Sequence, residues 1–177
     1  KYYLPLEYTS STYMYVQNGD ASEEKTAINQ QDLMASKSLV ETYIVILKND
    51  TVVKQVGMNL VSKFGVSEIS KCFTVKNGVI STAELKDAIS MSADGDTEVL
   101  KISAQTKDPH VSAEICDIYA EVAPTFLIRI IGAGSVEVIG DAEVPQSPSA
   151  PDGKKITMMA AAAGFVLSAG VAVLIYL

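Results

Sequence analysis

The residues able to do chemistry are few and poorly spaced for it. The one histidine, His110, follows Asp108-Pro109 in what reads as the first turn of a helix, a place where an exposed surface histidine is ordinary. A serine, this histidine and an aspartate can be drawn together as nucleophile, base and orienting acid. No Gly-x-Ser-x-Gly turn or other sharply presented nucleophile supports that drawing. Cys72 and Cys116 lie far apart in the chain without neighbours at metal-ligand spacing, and the sequence leaves open whether they pair or pack as free thiols. Asp94 and Asp96 flank Gly95 and read as a solvated turn rather than an ion site. Arg129 is the lone arginine, set among Leu127, Ile128, Ile130 and Ile131, so it either faces water or a local carboxylate, or pairs across a subunit contact. There is no Gly-rich phosphate loop, metal-spaced His or Cys cluster, or calcium loop. The reading is a protein that is not an enzyme, with no catalytic, cofactor-binding or metal residue and no cofactor.

The charge balance narrows the partners. Fourteen Lys plus Arg against 21 Asp plus Glu give a net −7, and no basic stripe is available for nucleic acid. The length suffices for one domain with a real core.

The elements that would position these side chains follow from periodicity. Residues 8–16 are rich in Tyr, Thr and Val, and Thr12, Met14 and Val16 alternate with Ser11, Tyr13 and Tyr15, which is a strand pattern ended by Asn18-Gly19-Asp20. From Gln30, the positions of Leu33, Val40, Tyr43, Ile44 and Leu47 predict a helix. Asp50 is placed to cap a second helix, in which Val53, Val56, Leu60 and Phe64 share a face before Gly65 stops it. Ser81-Thr82-Ala83-Glu84 reads as a capping box opening a short helix that ends near Ala88. Beyond the Asp94-Gly95 turn, Leu100, Ile102 and Ala104 alternate with Val99, Lys101 and Ser103 as a half-buried strand. Asp108-Pro109 supplies an N-cap and a first-turn proline to a helix with Val111, Ile115, Ile118 and Val122 on one face. Pro124 should bend or restart that helix, and Gly132-Ala133-Gly134 should stop it before a last strand over residues 135–139.

The end of the chain is of another kind. Pro145, Pro148 and Pro151 recur at threes, favouring an extended semi-rigid strut over a plain linker, and lead to Lys154 and Lys155. Residues 156–177 contain no Asp, Glu, Lys, Arg or Pro. As a helix they would span roughly 33 Å at about 1.5 Å per residue, enough for a hydrocarbon core of about 30 Å. Lys154 and Lys155 can reach headgroups at one face, and Tyr176 suits the other. Ala160, Gly164, Ser168 and Ala172 recur every fourth residue, a ridge that lets a neighbouring helix approach closely, although small residues are common in membrane helices anyway. With Lys1 rather than Met at the start, the sequence reads as part of a longer protein. The organisation is therefore a domain over residues 1–144, a proline-rich connector over 145–155 and a membrane helix over 156–177.

Taken in order, several short stretches resemble the Wzz-type chain-length determinants, the polysaccharide co-polymerases. They are Ser81 and Leu85 with the residues between, Asp96-Thr97 before Leu100-Lys101-Ile102-Ser103, Asp108-Pro109 before Ala113-Glu114-Ile115, Ala120-Glu121-Val122-Ala123-Pro124, Gly134-Ser135-Val136-Glu137-Val138, and Asp141-Ala142 leading to the three prolines. The Ala123-Pro124 and Gly134 to Val138 stretches are similar to the compact Gram-positive branch, the tyrosine-kinase modulators. Asp117 departs from the pattern, standing where that family often has Asn. The sequence is also too short for the long crossing helix of the larger Gram-negative members.

The resemblance implies an α+β extracytoplasmic domain, a small mixed sheet packed with helices, anchored in the bacterial cell membrane by the C-terminal helix and by a first one expected before residue 1. It also implies a homo-oligomeric ring, an octamer in such relatives. The ring would stand beside the polymerase and its lipid-linked glycan, set capsule or exopolysaccharide chain length, and dock or activate a cytoplasmic tyrosine kinase. A different class of function is a membrane-tethered module that binds a glycan or peptide, or senses one, using Tyr2, Tyr3, Tyr8, Tyr13 and Tyr15 as stacking surfaces.

Overall fold

The computed structural model describes residues 5–17, 30–95, 97–131, 135–151, 157–159, 161–165 and 176. The elements run β1 (Tyr8–Gln17), α1 (Gln30–Leu47), α2 (Asp50–Ile69), β2 (Val75–Lys76), β3 (Val79–Ile80), α3 (Thr82–Asp87), β4 (Ile89–Ala93), β5 (Val99–Thr106), α4 (Pro109–Ile131) and β6 (Ser135–Val138).

Four strands form one sheet in the order β4-β5-β1-β6. The α+β architecture agrees with expectation, but the sheet is antiparallel throughout rather than mixed. Alternation decides its faces. Ser10, Thr12, Met14 and Val16 of β1 and Leu100, Ile102, Ala104 and Thr106 of β5 are buried beneath the helices. Thr9, Ser11, Tyr13, Lys101 and Ser103 lie on the opposite face and keep partial access to solvent. The registers Met14 to Leu100 and Thr12 to Ile102 bring like faces together across the central pair.

α4 lies over β1 and β5, with Val111, Ile115, Ile118, Tyr119, Ala123 and Leu127 buried. Its start is built as the sequence predicts: the Asp108 carboxylate accepts from the backbone N–H of His110 at 2.8 Å, and Pro109 opens the first turn. The helix then continues through Pro124 as one element. A polar seam locks it to the sheet. Ser112, fully buried, donates to the Tyr8 carbonyl at 2.7 Å and lies 2.8 Å from the Thr106 hydroxyl. On the far side Tyr43 of α1 and Val52, Val53, Val56 and Leu60 of α2 close the core, and Lys63 pairs with Glu114 between α2 and α4 at 2.6 Å.

Two local expectations are corrected and one is refined. The cap of α2 is Asn49, whose side-chain oxygen accepts from Thr51 N–H at 3.0 Å; Asp50 is the first residue of the helix and instead pairs with Lys86 of α3. Gly65 breaks the regular helix as expected, but the chain does not leave the helical path there. It takes φ 79 and ψ 159, and one further helical turn runs on to Ile69, because burying Ile69 rewards continuation once a glycine has absorbed the kink. The capping box is not formed: Ser81 makes no side-chain cap bond, and Glu84 reaches out of the helix to accept from Thr74 N–H at 2.7 Å.

Two elements have no counterpart in the sequence reading. The β2–β3 hairpin turns through Asn77 and Gly78 at φ 53 and 76, the positive pair demanded by the commonest two-residue hairpin turn. β4 pairs with β5 and buries Ile89 and Met91.

Within residues 156–177, residues 157–159, 161–165 and 176 are described, all helical and exposed. Lys154, Lys155, Ala160, Ser168 and Ala172 lie outside the described residues, as does Asp96. Among the described residues no helix is long and apolar enough to cross a membrane.

Candidate functional site

The features that bear on function sit where the chain enters and leaves the domain. Glu7, one residue before β1, donates its N–H to the Ala150 carbonyl at 2.9 Å and accepts from Ser149 N–H at 2.8 Å. The Thr9 and Ser149 hydroxyls meet at 2.7 Å. On the other side of Glu7 its carboxylate accepts from the Gln105 amide at 2.6 Å, tying this clasp to β5. Segments remote in sequence thus leave the domain side by side.

The connector between β6 and this clasp runs back along β1. Ser10 donates to the Glu143 carbonyl at 2.7 Å and Thr12 to the Gly140 carbonyl at 3.1 Å. Asp117 of α4 accepts from Ala142 N–H at 2.9 Å. That bond accounts for the departure from the family pattern, since the side-chain oxygen of either Asp or Asn can serve as its acceptor. Pro145 is half-buried here while Pro148 and Pro151 are exposed, and the chain bends at residues 146–147. The residues just before the expected strut are therefore bonded to the sheet, because Ser10 and Thr12 are β1 hydroxyls that need partners once buried, and the strut itself is tied to the domain at Ser149 and Ala150.

Arg129 is exposed near the end of α4, with its guanidinium 4.8 Å from the centre of the Phe126 ring. It borders a depression of about 320 Å³ shared with Ile46, Val52, Phe126 and Ile130. Ile130 beside it is 56% exposed, an outward apolar side chain at the rim of the depression.

The titratable groups have structural assignments. His110 is exposed, and Asp108 caps the helix beside it. Both cysteines are free thiols. Cys116 is buried between α4 and the sheet, its sulfur 3.5 Å from the Ser10 carbonyl, and burial pushes its pKa up to about 12. Cys72 is half-buried, and burial together with Asp108 raises its pKa as well. Among the described residues no group of three His, Cys, Asp or Glu is placed to hold a metal ion.

No family model matches the chain. Individual relatives do. It is 31% identical over 169 residues to the capsular polysaccharide biosynthesis protein CpsC of Streptococcus pneumoniae, covering 96% of this chain and 66% of that one. The chain belongs to the compact Gram-positive branch of the Wzz-type capsular polysaccharide biosynthesis proteins. Other members of this branch that it resembles are CpsC of Streptococcus agalactiae, 25% identical over 96% of this chain and 64% of the relative, and CapA of Staphylococcus aureus, 27% identical over 85% and 59%. The chain spans a little under two thirds of the length of these curated relatives. The similarity to CpsC therefore runs through nearly the whole chain.

Proposed function

We propose that this protein takes part in capsular or exopolysaccharide biosynthesis and sets the length to which the exported chain grows. In this reading it is a membrane-anchored, non-enzymatic co-polymerase. The observation that carries it is the similarity to capsular polysaccharide biosynthesis proteins over 96% of the chain. The clasp supports it, because a domain whose entering and leaving segments are bonded together at Glu7 and Ala150 can present both to one membrane surface. So do Met158, Met159, Phe165 and Tyr176, apolar side chains between 73% and 93% exposed beyond the connector, which suit lipid or a neighbouring helix.

The same reading extends to assembly and partners. Residues 156–177 cross the bacterial cell membrane with Lys154 and Lys155 at the outer face. The protein forms a homo-oligomeric ring, an octamer as in related proteins, with Arg129 and the apolar side chains around it at the subunit contact. The ridge of Ala160, Gly164, Ser168 and Ala172 packs in the membrane; a Cβ added at Gly164 would meet nothing within 4 Å among the described residues, which suits a position that a neighbouring helix approaches. A polymerase carrying lipid-linked glycan stands beside the ring, and a cytoplasmic tyrosine kinase docks on the inner side.

Deleting the gene and sizing the surface glycan tests the main claim. The expected result is a shifted length distribution, and an unchanged distribution and yield would refute it. Native mass in mild detergent tests the ring, with a monomer as the refuting result. Labelling an Asp152→Cys variant from each side tests the topology, where modification only from the cytoplasm refutes it.

A further inference from the structure

β6 pairs with β1 only from Met14 to Gln17, and the Ile139 N–H bonds to the Tyr13 carbonyl at 2.7 Å just beyond. The next backbone bonds on that edge are those of Glu7 with Ser149 and Ala150. Because an extended strand directs alternate residues' N–H and C=O to one edge, Thr9 and Ser11 present theirs in the same direction as Tyr13 and Glu7. Those groups of Thr9 and Ser11 meet no partner among the described residues.

The gap is a built cleft. Its far wall is the connector, held at Gly140 and Glu143 by the buried hydroxyls of Thr12 and Ser10 and at Ala142 by Asp117. Its volume of about 570 Å³ lies within the range of roughly 300–1,000 Å³ usual for ligand clefts. Thr9, Ser11, Tyr13, Asp141, Glu143 and Gln146 line it, with Val144 and Pro145 adding apolar surface. Lys101 sits 5.4 Å from the centre of the Tyr13 ring and steadies it from the neighbouring strand.

We propose that this cleft binds neutral sugar residues of a polysaccharide. Donors and acceptors alternate along the open β1 edge, as a ligand that offers hydroxyls on every ring requires. An aromatic ring and a proline beside them suit the C–H face of a pyranose. Asp141 and Glu143 accept from sugar hydroxyls and disfavour uronate or phosphate groups; among the described residues the cleft lining carries no cation, Lys101 standing behind the Tyr13 ring. An added peptide strand fits less well. It would need to lie about 4.8 Å from β1 along its whole length, and the connector wall, drawn in by Ser10 and Thr12, stands across that path.

This inference rests on the reading that the protein handles a polysaccharide. The test uses the full protein in nanodiscs and, as probe, short oligosaccharides released by mild hydrolysis from the surface polysaccharide of the cells that make it. A polygalacturonate fragment serves as the anionic comparison. Saturation-transfer NMR should show contact at sugar C–H protons, with little from the anionic fragment. Tyr13→Ala should weaken binding by about tenfold. The exposed double variant Asp141→Asn, Glu143→Gln should do the same, and it guards against a Tyr13 variant that merely misfolds. Absence of saturation transfer, or binding undiminished in the folded double variant, overturns the proposal. An altered glycan length on gene deletion without sugar binding removes the cleft alone; sugar binding with unchanged glycan on deletion removes the chain-length reading and leaves the cleft.

Discussion

Cys116 offers the sharpest test of how α4 is seated on the sheet. Burial is the chief cause that lifts its pKa from the ordinary 9.0 to about 12 in the folded protein. The sign follows from which state gives up the proton. Between pH 9 and 12 the unfolded chain loses the thiol proton while the folded chain keeps it, so the contribution is fully present below 9 and is lost as pH rises. At about pH 10, one unit above the unfolded value, the loss is about 1.4 kcal/mol. In a Cys72→Ala background, Cys116→Ala removes the titration and adds a pH-independent cost for the missing sulfur. Urea unfolding of the two proteins in detergent, followed by circular dichroism, should show the stability gap between them narrowing by about 1.4 kcal/mol from about pH 8 to about pH 10. The thiol should also resist iodoacetamide near pH 8 until the chain unfolds, whereas Cys72 in the reciprocal single-cysteine protein reacts in the native state. A gap that does not change with pH, or native Cys116 alkylated as fast as Cys72, would show that the α4–sheet interface is open to water.

Three further substitutions probe other joints of the fold. Gly65→Ala forces a side chain onto φ 79, ψ 159 and should destabilise by about 1–3 kcal/mol in the same assay; an unchanged midpoint would mean that α2 is not kinked there. Ser112→Ala leaves the Tyr8 carbonyl without its 2.7 Å donor in a buried seam, for an expected loss of about 1–3 kcal/mol, and hydrogen exchange should quicken in β1 and the first turns of α4. Asn49→Ala should cost about 1 kcal/mol and Asp50→Ala clearly less, the reverse order restoring Asp50 as the cap.

Much of this protein is legible in its sequence because alternation and helical spacing are local. Residues 8–16 give up their two faces at once, since in a strand the side-chain period alone assigns Thr12, Met14 and Val16 to one side, the side that the structure buries. Asp108-Pro109 likewise needs no distant partner to start α4. The Asn77-Gly78 turn was also open to a local reading, through the backbone angles that such a pair favours. β4 was harder, because Ile89 and Met91 make too short an alternation to stand out from the helix before it.

Other features were settled only by tertiary contacts. Whether Asn49 or Asp50 caps α2 depended on Lys86 of α3 drawing the Asp50 side chain away, and Gly65 became a kink because Ile69 had a core to reach. Glu84 left its own helix for Thr74, a residue that the hairpin brings beside it. The clasp and the cleft depend most on the fold. Glu7 with Ala150, Ser10 with Glu143 and Asp117 with Ala142 are pairs far apart in the chain, and no local pattern selects such partners. The sequence determined that β1 has two alternating faces; only the folded chain decided that its free edge would face a wall made from the chain's own exit, because that wall exists only once Ser10 and Thr12 are buried and their hydroxyls must find acceptors.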